Sequence, residues 1–128
     1  MYLTKGSKSA ELVGFFGGKY KFTDILINFG YATTEVNKSN HILKKGLKIN
    51  CHEFHKSYVD LNEEKMFKLT KDNYGEVKEW ECGYIKKNVV AAYAHVHFYG
   101  NIEFFDSLIK LAIEHKESVK WTDYKKDM

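Results

Sequence analysis

Along most of this chain apolar and polar residues alternate in short runs, and only toward residue 101 and beyond does the spacing lengthen to three and four. The first pattern marks half-buried strands and the second an amphipathic helix. Residues 11–16 read as a strand stopped by Gly17-Gly18, and residues 20–24 lead into a strand over 25–31 that Gly30 interrupts. Thr33-Thr34-Glu35-Val36 continues extended, as β-branched side chains favour. Residues 37–40 and 44–46 carry turn residues. Residues 47–54 alternate and read as a strand, followed by strands at 58–60 and 65–70, a loop over 71–75, and strands at 80–85 and 89–98. Asn101 then caps a helix that runs to about Lys116. Its apolar residues Ile102, Phe105, Leu108, Ile109, Ala112 and Ile113 recur at helical spacing and predict a buried face.

The picture is many strands with one terminal helix, in a length of 128 residues that suits a single domain. There is no internal repeat, linker or low-complexity tract. Helix content is low for a self-standing domain, which suggests that part of a layered α/β domain is missing. The net charge of +3 comes from 20 lysines, with no arginine, against 17 acidic residues. This balance and spread argue against nucleic-acid binding, which needs a concentrated basic face and profits from guanidinium forks. Lys44-Lys45 and Lys125-Lys126 read as solvated surface. No apolar run approaches the ~18 residues of a membrane span, and the N-terminus lacks the apolar core of a signal peptide. Two cysteines without a secretion signal suggest reduced thiols in the cytoplasm.

Chemistry concentrates in two segments that hold four of the six histidines: Cys51-His52-Glu53-Phe54-His55 and His95-Val96-His97-Phe98. On strands, His95 and His97 share a face, His52 and Phe54 share another, and Glu53 and His55 point together. An imidazole beside a nucleophile suits a general base. The same residues also fit hydrogen-bonded structural histidines. A metal site built from His52, His55, His95 and His97, with Glu103 six residues after the second pair, loosely resembles cupin barrels but lacks their spacing and glycine pattern. Cys51 lies mid-strand and Cys82 precedes no helix, so neither has the elbow that activates a catalytic thiol. Gly17-Gly18 has no lysine-serine or lysine-threonine pair to make a phosphate loop.

His52-Glu53-Phe54-His55-Lys56-Ser57 and the later Tyr93-Ala94-His95-Val96-His97-Phe98 resemble the G-H-E-F-H-Y-S and Y-x-H-x-H-F segments of a known family. It is the C-terminal glutamine amidotransferase domain of cobyrinic acid a,c-diamide synthases. Asn28-Phe29-Gly30-Tyr31 resembles its N-x-G-Y strand, Tyr20-Lys21-Phe22-Thr23 the run before it, and the helix from Asn101 its closing helix. The resemblance covers residues 1–116, leaving 117–128 as a tail ordered through Trp121 and Tyr124. It implies an α/β fold, the latter part of a flavodoxin-like amidotransferase domain. It also implies triad-type chemistry, in which a cysteine at a strand-to-helix elbow attacks the amide of glutamine and a histidine acts as base. Ammonia then passes to a corrinoid carboxylate activated by ATP and Mg²⁺. On this resemblance His95 is the catalytic base, and His97, Glu53 and His55 support the site.

The family's elbow segment resembles C-G-G-x-M-Y-L, and the chain starts Met1-Tyr2-Leu3. The resemblance therefore places the nucleophile upstream of Met1, together with the ATP-binding domain and the first half of the amidotransferase domain. As a fragment, the chain is expected to be inactive alone, to bind neither ATP nor Mg²⁺, and to expose sheet surface through which it could form homo-oligomers. A nickel-sirohydrochlorin diamide synthase would share the motifs. A non-catalytic binding module and a histidine-rich metal-binding β domain are the alternatives outside this chemistry.

Overall fold

The computed structural model of the chain describes residues 6–7 and 10–119. The expectations for Met1-Tyr2-Leu3 and for Trp121 and Tyr124 lie outside the described residues. In chain order the elements are β1 (Gly6–Ser7), β2 (Ala10–Glu11), β3 (Gly18–Phe22), β4 (Asn28–Val36), β5 (Lys48–His55), β6 (Ser57–Leu61), β7 (Lys65–Asn73) and β8 (Glu76–Lys86). After these come β9 (Val89–Ala91), β10 (His95–Val96), a 3-10 turn at Phe98–Gly100, and helix α1 (Ile102–Ser118). The strand-rich architecture with a terminal helix is the one the hydrophobic pattern predicts.

The central sheet runs β10-β5-β4-β7-β8-β9, and β1-β2 and β3-β6 form two small ribbons. Every pairing among the described strands is antiparallel. β9 and β10 stand at opposite ends of the order, yet only Ala92, Tyr93 and Ala94 join them. A flat six-stranded sheet would hold them about 24 Å apart, whereas the extended chain from Ala91 to His95 reaches roughly 14 Å. The sheet must therefore curl until its two edges approach, leaving a concave inner face and a convex outer one.

Alternating burial shows which side chains turn inward. On β5, Ile49, Cys51 and Glu53 are buried, while Lys48, Asn50 and Phe54 are exposed. The inner face carries Ala32, Val36, Ile49, Cys51, Phe67, Leu69 and Cys82, which form one cluster with Ile42 and Leu43 from the β4–β5 loop and Phe104 from α1. Asn40 shapes that loop, since its Oδ1 accepts from the amides of Ile42 at 2.9 Å and Leu43 at 2.7 Å. Gly83 is required where it stands. Its φ is +77°, and a Cβ would collide with the Phe67 ring on the neighbouring strand.

The structure corrects four local expectations. Residues 12–16 are not a strand; only Ala10–Glu11 pairs, with Gly6–Ser7. The loop at 71–75 shrinks to Tyr74-Gly75, because β7 and β8 pair out to Asn73 and Glu76. Both turn residues have positive φ (54° and 96°), as a two-residue hairpin demands. The strand at 89–98 is broken into β9, the three-residue bridge and β10. The helix bears out the Asn101 cap, whose Oδ1 accepts from the Phe104 amide at 3.3 Å, and runs to Ser118, but its buried face differs from the expected one. Its packed side is Phe104, Leu108 and Leu111, whereas Ile102, Phe105, Ile109 and Ile113 stay exposed. The helix is thus apolar on two adjoining stripes, and the core takes only one. No described helix is long and apolar enough to cross a membrane.

Candidate functional site

The two histidine segments meet in the sheet. β10 pairs antiparallel with β5, with His95 opposite His52 and Val96 opposite Cys51. Residues directly opposed share a face, so Val96 joins buried Cys51 inside while His95 and His52 stand on the convex side. His95 and His97 are both exposed. The expected common face of His95 and His97 is retained in extended backbone, since His97 has φ −105° and ψ 110°. Their surroundings are solvent rather than core.

The convex side near His95 is unusually aromatic. Tyr31 lies across from His52 and Phe29 across from Phe54. The Tyr31 and His52 rings sit 5.2 Å apart and those of Phe29 and Phe54 5.7 Å apart, both edge-on. Tyr31 is 80% exposed, and Phe29 and Phe54 are each more than half exposed. Beyond His97, whose ring is 5.8 Å from that of Tyr99, a cavity of about 390 Å³ is lined by Val96, His97, Phe98, Tyr99, Ile102 and Phe105.

Glu53 and His55 come together as expected, but on the concave side. Glu53 is 1% exposed, and its Oε2 lies 3.0 Å from His55 Nε2. His55 Nδ1 donates to the Ser57 carbonyl at 2.7 Å. A carbonyl and a carboxylate oxygen both accept, so the second contact needs one further proton, shared between Nε2 and the carboxylate. Trp80 Nε1 donates to the other oxygen of Glu53 at 3.4 Å. Glu53, His55 and Trp80 line a second cavity of about 390 Å³ that also receives Lys78, whose Nζ donates to Asn28 Oδ1 at 3.0 Å and lies 5.5 Å from the Trp80 ring centre.

The structure thus divides the four candidate residues between two surfaces: His95 and His97 outside, Glu53 and His55 inside. It also separates the imidazoles that a shared metal would need, since His52 and His55 point to opposite faces of β5. No group of three or more potential metal ligands comes together among the described residues. Cys51 and Cys82 are buried, and burial pushes both thiols up from their ordinary pKa. Neither is poised as a thiolate nucleophile. Residues that sequence reasoning passed over include Trp80, Ser57 and Tyr93. The last two stand inside the quoted histidine segments, two residues from His55 and His95, and that proximity was the available signal.

Comparison with known proteins gives a consistent result. The sequence profile described as a CobB/CobQ-like glutamine amidotransferase domain matches residues 3–123. A cobyrinate a,c-diamide synthase of Clostridium tetani is 57% identical over 115 residues, covering 86% of this chain and 26% of that protein. The Clostridium acetobutylicum protein of the same name is 52% identical over 111 residues, covering 86% and 25%. That of Listeria monocytogenes is 45% identical over 97 residues, covering 75% and 22%. The chain therefore spans about a quarter of the length of these relatives. No solved structure matches it.

Proposed function

The chain belongs to the CobB/CobQ-like glutamine amidotransferase domain family, and from that membership we propose that it is the C-terminal piece of an ATP-dependent, glutamine-hydrolysing cobyrinate a,c-diamide synthase. In this reading the 128 residues are one part of a single amidotransferase domain, with the motifs within 1–116 and a tail at 117–128. Activity requires the first half of that domain and an ATP-binding domain, and the whole enzyme works in the cytoplasm on a corrinoid carboxylate. In this reading ATP and Mg²⁺ are bound by the other parts.

The observation that carries the proposal is the exposed position of His95 beside His52 at the edge of an uncovered aromatic face. A base that must meet a nucleophile from another segment has to stand on such a face. In the proposed reaction a cysteine outside these residues attacks the carboxamide carbon of glutamine. His95 takes the thiol proton and returns it to the departing nitrogen as ammonia leaves. The resulting thioester is cleaved by water, whose proton His95 accepts and passes to the departing cysteine sulfur, releasing glutamate and restoring the thiol. His97 adjoins the base, and Glu53 and His55 support it from behind the sheet.

Mixing the chain with the upstream part of the Clostridium tetani relative tests the proposal. Glutamine hydrolysis should appear in the mixture and fall at least ~100-fold with His95→Ala, the scale of a lost general base. Cys51→Ala should retain it. Hydrolysis by the pure chain that disappears with His95→Ala would overturn the reading, as would an undiminished mixture carrying His95→Ala.

A further inference from the structure

The strand that carries His95 is two residues long and pairs with β5 at only two positions. So short an edge strand cannot by itself fix the orientation of an imidazole. The residues that precede it are held far more firmly. Tyr93, at the centre of the bridge from β9, lies flat on His55, with ring centres 3.9 Å apart and planes 8° from parallel. Its hydroxyl is 2.9 Å from Ser57 Oγ on β6, and its backbone N–H donates to Cys82 Sγ on β8 at 3.4 Å. The His55 ring beneath it is itself clamped at both nitrogens, by Glu53 and by the Ser57 carbonyl. Glu53 in turn is held from β8 by Trp80.

We infer that Tyr93 is a positioning residue for His95: the buried Glu53–His55 pair on the concave face, with Ser57 and Cys82, locks Tyr93, and the locked bridge sets the place of the imidazole two residues later on the convex face. This gives the two histidine segments one physical purpose. The first supplies the platform, and the second carries the ring that sits on it and the base that it aims. The inference rests on the reading of His95 as base only for its catalytic consequence, because the mechanical coupling can be measured separately.

The coupling is read by NMR on the 128-residue chain, following the His95 ring signals and hydrogen exchange at the amides of His95 and Val96. Tyr93→Leu removes both the stack and the hydroxyl. It should shift or broaden the His95 ring signals and speed exchange at β10 at least tenfold, with Leu69 in the centre of the sheet unchanged. Unaltered His95 signals and β10 exchange in Tyr93→Leu would overturn the inference. If Leu69 loses protection as well, Ser57→Ala decides, since it deletes only the hydroxyl partner. Exchange at β10 should then rise about threefold, and an unchanged rate would overturn the inference.

The catalytic consequence is read in the reconstituted mixture. Tyr93→Leu should lower kcat for glutamine by about 30- to 100-fold, the scale of a displacement near 1 Å at a reacting group. KM should stay within twofold, and Tyr93→Phe, which keeps the stack, should restore at least a third of the parent kcat. A Tyr93→Leu mixture with parental kcat would overturn the positioning role. A His95→Ala mixture with parental activity would instead remove the base assignment and leave the NMR result standing.

Discussion

His95 faces His52 across the β10–β5 pair, while Glu53, the next residue along β5, is turned to the other side and buried. One strand thereby serves two surfaces. The convex one is open and aromatic, and the concave one is closed around the hydrogen-bonded Glu53–His55 pair. Substitutions one residue apart on β5 should therefore have different consequences.

Glu53→Ala should destabilise the chain by about 1–3 kcal/mol, because it leaves the His55 Nε2 and Trp80 Nε1 contacts without their carboxylate. His52→Ala, on the outer face, should change stability by no more than ~0.5 kcal/mol. Urea unfolding followed by circular dichroism compares the two, and equal losses would contradict the assignment of faces.

The helix supplies a second contrast. Phe104 is the buried anchor of α1 against Phe67 and the rest of the cluster. Phe104→Ala should cost about 3–5 kcal/mol through the cavity it leaves. Ile109→Ser, on the exposed stripe, should be nearly neutral in the isolated chain. It should weaken activity in the reconstituted mixture if the upstream part covers that stripe. Thermal unfolding and the glutaminase assay read the two effects.

Alkaline stability follows from the buried thiols. Burial raises the pKa of Cys51 and Cys82 in the folded chain. Above a free thiol's ordinary value, about 8.5, the unfolded chain loses these protons while the folded chain keeps them. Stability should thus be intact below that pH and decline above it, until the folded thiols ionise too. Urea midpoints measured from pH 7 to 10 should fall, and Cys82→Ala should flatten the fall. A midpoint that rises across this range would contradict the burial of the thiols.

The uncovered convex face should make the isolated chain self-associate, since exposed aromatics in a cluster favour contact between molecules. Sedimentation at rising concentration should detect this, and Phe29→Lys with Phe54→Lys should suppress it. A chain that stays monomeric at every concentration would argue that Phe29, Tyr31 and Phe54 are too dispersed to act as one patch.

Much of this arrangement is legible in the sequence. The period-two pattern at residues 47–54 correctly pairs Glu53 with His55 and His52 with Phe54, because a strand's side chains have no other choice. Asn101 announces the helix through its capping chemistry. The break at Ala92–Ala94 was not legible, since no glycine or proline marks it. It exists because the sheet curls, which is a property of six strands together rather than of any local run. The helix misled for a related reason. With apolar residues on two stripes, spacing alone cannot say which stripe the core takes. The separation of His95 from Glu53 and His55 likewise depends on the pairing register, which one segment read alone does not contain.

The short bridge also bears on the order in which this fold can form. The β7–β8 hairpin closes through a two-residue turn and can assemble early. The pairing of β10 with β5 joins residues far apart in the sequence, and it becomes possible only after β4, β5, β7 and β8 are aligned and the sheet has curled. The loop-closure entropy of that contact falls on two residue pairs. The strand that carries His95 is thus placed to form last and to open first, so this imidazole reaches its position only once the rest of the sheet is already built.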